Sequence, residues 1–97
     1  MGIAITHSDE TTHGTYRAEL PGADQPAVLT WRARGDARVI EHTFVPPAMR
    51  GHGVAQQLVE AIVADARSFG FRIVPQCSYA DALFRRNAEW AEVRADS

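Results

Sequence analysis

Six residues, Arg50-Gly51-His52-Gly53-Val54-Ala55, join an apolar stretch ending at Val45-Pro46-Pro47 to a segment with helical periodicity. A glycine-rich turn at a helix start is an anion site. Glycines let the backbone approach a ligand, the first N–H groups of the helix lack partners, and the dipole adds roughly half a positive charge. Arg50 can add a guanidinium to pyrophosphate oxygens, whereas His52 stands at a position expected to be exposed. Two other phosphate motifs fail. A dinucleotide fingerprint needs a third glycine where Gln56 stands, and a Walker A loop needs a Gly-Lys-Ser/Thr ending that the chain lacks. Further chemistry resides in Cys77, His42 and Glu41. A thiol between a strand and a helix meets N–H groups that favour its nucleophilic form, although a lone cysteine is also common core filler. Histidine and glutamate are general bases, and the ordinary alternatives are a half-buried strand imidazole and a solvated carboxylate. His7 and His13 show no metal-ligand spacing, so no metal is expected.

The elements that must position these groups are readable from pattern. Ile3 to Thr6, Tyr16 to Leu20, Ala27 to Arg34 and Arg38 to Val45 read as strands. Arg34-Gly35-Asp36-Ala37 is a hairpin turn, and Leu20-Pro21-Gly22-Ala23-Asp24 a looser one. Alternation along the fourth strand puts His42 on one face with Ile40 and Phe44, and Glu41 with Thr43 on the other. From Gly53 the period becomes helical through Ala55, Leu58, Ile62, Ala66 and Phe69, and Gly70 stops the helix. Phe71 to Val74 reads as a buried parallel strand, since a helix precedes it. Ser78 is placed to cap a last helix reaching about Asn87, Glu89 to Val93 to pack back on the sheet, and Asp96-Ser97 to be loosely held. Trp31, Trp90, Phe69 and Phe71 are assigned to the core.

With 97 residues, 45% hydrophobic and 23% charged, residues 1–97 make one domain. A net charge of −2 and a pI near 6.0 give no general reason to bind nucleic acid or an anionic membrane. Met1 to Thr12 lacks the basic start and apolar run of a signal peptide, and one cysteine fits a reducing compartment, so a cytoplasmic protein is expected.

Arg50, Gly53 and Ala55 fill the pattern Arg/Gln-x-x-Gly-x-Gly/Ala, in the order strand, loop, long helix, strand, short helix. The chain thereby resembles the GCN5-related N-acetyltransferase (GNAT) superfamily. Glu41-His42-Thr43-Phe44-Val45-Pro46, the loop itself, Ala66-Arg67 and Val74-Pro75-Gln76-Cys77-Ser78-Tyr79 make it similar to the small stand-alone GNAT-like N-acetyltransferase proteins. The resemblance implies an α/β GNAT fold: a mixed, mostly antiparallel sheet with a central parallel strand pair, one long and one short C-terminal helix, and the superfamily's N-terminal helices missing. It implies acetyl-CoA held between the strands ending near Val45 and Val74. Val45, Arg50, Gly51, His52, Gly53, Val54 and Ala55 would bind it, Cys77 would face the thioester and Phe84 would pack nearby. Arg85 and Arg86 would be in reach of the adenosine 3′-phosphate, with a solvated basic helix face as the ordinary account.

The implied activity is acetyl transfer to a small amine or lysine, with Cys77, His42 and Glu41 as the catalytic candidates. The alternative is a CoA-binding module or cysteine-acetylating protein with little transferase activity. Two departures bear on this choice. Only Ser8 to Gly14 separates the first strands, so the usual acceptor wall must be replaced by a short loop, a homodimer partner or nothing. The superfamily's Asn-x-x-Ala-x-x-x-Tyr falls on Cys77, Ala80 and Phe84; phenylalanine cannot donate a proton, which leaves Cys77, Tyr79 or water.

Overall fold

The computed structural model describes residues 4–95; Ile3, Asp96 and Ser97 lie outside them. Strands β1 (Ala4–Glu10), β2 (His13–Glu19), β3 (Ala27–Arg34), β4 (Ala37–Phe44) and β5 (Arg72–Pro75) form one sheet in the order β1-β2-β3-β4-β5. Helix α1 (Val54–Phe69) connects β4 to β5, and α2 (Ser78–Arg86) follows. Three pairs are antiparallel and β4–β5 is parallel. The parallel pair lies at one end of the sheet rather than at its centre, because beyond β5 the described residues add only a bridge from Ile73 to Arg94.

Register shows how the layers are built. Residues opposite one another on antiparallel strands share a face, so Gly14, Trp31 and Ile40 lie on one side, with Tyr16 and Leu29 beside them. Both helices cover that side. Val54, Ala55, Leu58, Val59, Ile62, Val63 and Ala66 recur at helical spacing and are all buried. All of them but Ala55 pack with Leu83, Phe84 and Trp90 against the sheet. Each fully buried aliphatic side chain contributes about 1.5–3 kcal/mol. Arg38 sits with its guanidinium 4.0 Å from the Trp31 ring centroid and 4.1 Å from that of Phe71. Tyr16 donates a 2.5 Å hydrogen bond to Asp65 on α1, tying helix to sheet. Gly14 is required where it is: a Cβ there would stand 2.5 Å from the Trp31 ring. Among the described residues the opposite face carries no helix; His13, Arg17 and Arg32 are exposed there and Thr15 and Thr30 half-buried.

Several expectations change. Ser8 to Gly14 is not a connecting loop: β1 continues to Glu10 and β2 starts at His13, leaving only Thr11-Thr12 to turn. Every β1 residue but Ile5 is exposed, so this edge strand shows no hydrophobic alternation from which to read it. Phe69 is 73% exposed, on the last residue of α1 beyond Ala66, the final α1 side chain in the core. Trp31 and Trp90 are buried and Phe71 is partly so. The segment after α2 packs back as a 3-10 helix, Ala88–Val93, burying Trp90 and Val93.

Candidate active site

β4 and β5 pair from Ala37↔Arg72 to Ile40↔Pro75 and then part. The Cys77 N–H still donates to the Ile40 carbonyl at 3.2 Å, after which the chain turns into α2. From Glu41 onward, the side of β4 that faced β5 has no strand partner among the described residues. At this point β4 also carries a bulge: Trp31 opposes Ile40 and Thr30 opposes His42, leaving Glu41 as the extra residue.

The bulge shifts the alternation by one, which corrects the simple reading of β4. Thr43, opposite Leu29, is on the helix-covered side with Ile40, whereas His42 and Phe44, opposite Thr30 and Val28, are on the uncovered side. Thr43 is thereby brought to Cys77, its Oγ1 lying 3.5 Å from Sγ. His42 is not. Glu41 pairs with Arg32 at 3.2 Å over the uncovered face.

Beyond β4 the chain makes a 3-10 helix, Pro47–Met49, with proline in its first turn, where a missing N–H costs nothing. Met49 is buried and anchors the loop, and Arg50 Nε donates to the Val45 carbonyl at 3.2 Å, drawing the loop back on the strand end. Gly51 and Gly53 have φ of 85° and 69°, a left-handed backbone that glycine adopts without penalty. Gly53 is the N-cap of α1, whose first helical hydrogen bond runs from the Gln57 N–H to its carbonyl at 3.1 Å. No side chain caps this end and no acidic residue lies in its first turn. The leading N–H groups and the positive dipole end are left for an anion from outside.

These parts enclose a groove of about 330 Å³ lined by Thr43, Phe44, Val45, Met49, Arg50, Gly51, Gly53, Val54, Ala55 and Tyr79. That volume lies in the range of small-molecule sites, roughly 300–1,000 Å³. Of the residues singled out from sequence, Val45, Arg50, Gly51, Gly53, Val54 and Ala55 meet here. His52 is exposed in the same loop without lining the groove. Phe84 is buried, edge-on to Trp90 at 5.2 Å between centroids, and belongs to the core. Arg85 pairs with Asp81 at 2.8 Å. Thr43, Phe44 and Met49 were not singled out as site residues; the Pro46-Pro47 pair signalled the turn that seats Met49, but only the bulge reveals Thr43.

Cys77 is half-buried and is itself the N-cap of α2: its sulfur accepts the Ala80 N–H at 3.3 Å. The cap is therefore the residue before Ser78, because the backbone is still extended at Cys77 (φ −73°, ψ 144°) and helical only from Ser78. Thr43, which lines the groove, and α2 together hold the thiol, and Cys77 itself is not among the lining residues.

The arrangement offers a phosphate-sized cradle, an open strand edge for an extended arm, and a thiol and a phenol near the point of divergence. The model of the GCN5-related N-acetyl-transferase family matches residues 15–93. The solution structure of a GCN5-like protein from Staphylococcus aureus superimposes with a TM-score of 0.74 over 97% of this chain and 89% of that one; at 23% identity this is a likeness of fold. With the family model spanning β2 to the C-terminal 3-10 helix, the chain belongs to the GCN5-related N-acetyltransferase family.

Proposed function

We propose that the protein is an acetyl-CoA-dependent N-acetyltransferase acting on an amine acceptor. The observation that carries this reading is the start of α1, uncapped, free of acid and preceded by two left-handed glycines, opening on the groove where β4 leaves β5. The donor set suits a pyrophosphate: backbone N–H groups of the first helical turn, with Arg50 beside them. Acetyl-CoA supplies an activated thioester, from which the amine takes the acetyl group as a C–N bond forms, the C–S bond breaks and the thiolate gains the proton that the amine loses.

In this reading the unpaired edge of β4 from Glu41 binds an extended arm through backbone hydrogen bonds, as an added strand would. The helix-covered side of the sheet is filled, so the acceptor approaches from the uncovered side, where Glu41 and His42 stand as candidate bases. Phe84 has no hydroxyl and is buried. Tyr79, 44% exposed and lining the groove, is the phenol placed to return the proton, and Cys77 or water is the alternative. Direct attack needs no covalent enzyme intermediate; Cys77, two hydrogen bonds from freedom, is first a structural cap. One cysteine and no disulfide partner are in keeping with a cytoplasmic setting.

Calorimetric titration with acetyl-CoA, followed by release of free CoA in the presence of a mixed amine pool, tests the proposal. Binding with amine-dependent release is the expected result. Binding without release turns the reading to a CoA-binding module, and no binding removes it.

A further inference from the structure

A second cavity, of about 520 Å³, is lined by Arg34, Val74, Pro75, Gln76, Asp81, Arg94 and Ala95. It shares no lining residue with the groove. The two are nevertheless joined through the chain, since Pro75 and Gln76 lead directly into Cys77, and Pro75 is the last β5 residue paired with β4 before the strands part. The floor is apolar: Val74 is buried with Ala37 and Val39, and Ala95 packs on them. The walls are charged. Asp81 is held by two guanidinium groups at 2.8 Å each, Arg94 inside the cavity and Arg85 outside it. Arg34 comes from the β3–β4 hairpin on the other side and has no carboxylate partner among the described residues. The cavity itself thus holds two guanidinium groups, Arg34 and Arg94, against the one carboxylate of Asp81, which Arg85 also neutralises from outside, in a chain whose net charge is −2. A local positive excess within an otherwise acidic protein selects anions, and a planar guanidinium suits a carboxylate.

We propose that this cavity receives the acceptor, and that the acceptor is a small amine bearing a carboxylate, an amino-acid-like molecule. Its carboxylate pairs with Arg34 beside Arg94, its body lies on Val74 and Pro75, and its amine extends along Gln76 toward Cys77 and the end of the groove. The proposal rests on the reading of the groove as the acetyl-CoA site. The free amine attacks the thioester carbon, a C–N bond forms, the C–S bond breaks, and CoA leaves as the thiol with the proton that the amine has lost. A protein lysine, with no carboxylate near its amine, would leave Arg34 unmatched.

The test uses the full chain without acetyl-CoA. Each standard amino acid is titrated singly while backbone and side-chain amide NMR signals are followed, and every amino acid that binds is compared with its decarboxylated amine. Shifts at Gln76 and Ala95, and affinity lower by about tenfold or more for the amine and for Arg34→Ala, are expected from losing a charged hydrogen bond. Arg34→Lys should recover part of that loss, and acetyl-CoA affinity should be unchanged in both variants. The proposal is overturned if no amino acid moves Gln76, if the decarboxylated amine binds equally well, or if Arg34→Ala binds like wild type. It is also overturned if the amino acid that binds is not acetylated when acetyl-CoA is added to a protein shown to bind it. Because the first arm contains no acetyl-CoA, failure of the groove reading would leave the carboxylate selectivity standing, and the two failures are told apart.

Discussion

Replacing Gly53 by glutamate separates the anion site from the fold. The residue has φ 69° and ψ 21°, and a Cβ added there meets nothing within 4 Å, so the cost of a side chain is conformational rather than steric. A left-handed L-residue costs about 1–2 kcal/mol. A carboxylate at a helix start returns about 0.3–1 kcal/mol through the dipole. The net loss of about 0–1.7 kcal/mol lowers Tm by less than about 14 °C in a domain of this size. Binding should suffer far more. The new carboxylate competes for the N–H groups that would hold a phosphate and repels it. Loss of two charged hydrogen bonds at about 1.5–3 kcal/mol each weakens affinity by a factor of about 100 at least. Calorimetry with acetyl-CoA on wild type, Gly53→Glu and Gly53→Ala reads this, and the alanine variant isolates strain from charge. Glutamate binding within about threefold of wild type, less than 1 kcal/mol, would refute the anion-site argument; equal losses in both variants would assign the effect to backbone strain.

Three other perturbations follow from the same geometry. The ten lysine-plus-arginine positions are all arginine, so the chain has no lysine side chain to acetylate and an acetyl mass gain points to Cys77 or the N-terminus. Cys77→Ala should keep most of the turnover and cost about 0.5 kcal/mol or somewhat more as the α2 cap is lost; abolished turnover together with loss of a wild-type acetyl adduct would replace direct attack by a covalent route. Burial first, and then the hydrogen bond to Asp65, raise the Tyr16 phenol well above its ordinary pKa of 10.0. The unfolded chain therefore gives up that proton first, and the contribution to stability is full below pH 10.0 and declines above it, by up to about 1.4 kcal/mol per pH unit. Denaturant titrations should show this decline in wild type and not in Tyr16→Phe. Gly14→Ala should lose about 1–3 kcal/mol by driving a methyl into the Trp31 ring, read as a lower urea midpoint with altered tryptophan fluorescence.

What the sequence made legible followed from strong local signals. Gly53 and Gly70 bracket α1 because glycine alone takes the left-handed caps cheaply, and the apolar residues between them keep one helical period. The loop residues meet in the groove for the same reason: turn, cap and helix start are neighbours in sequence. Features that depend on distant partners were not legible. β1 is an edge strand in contact with solvent, so its pairing left no hydrophobic alternation. Alternation alone puts His42 with Ile40, because a bulge is a property of two strands and nothing within β4 announces that Trp31 and Thr30 will oppose Ile40 and His42. The contact of Thr43 with Cys77 spans 34 positions and depends on that bulge.

The bulge gives β4 two reading frames. Up to Ile40 the even-numbered residues face the helices, and from His42 onward the odd-numbered ones do, with Glu41 as the uncounted letter between them. Deleting Glu41 would restore an unbroken alternation in which His42, Thr43 and Phe44 keep both their direction and their β3 partners, so that only the local kink and the ion pair to Arg32 are lost. Substituting it would keep the kink and remove the ion pair alone, since its carboxylate pairs with Arg32 and not with Thr43 or Cys77. The chemistry of that carboxylate and the geometry that surrounds it can therefore be interrogated separately, one by exchange and the other by excision.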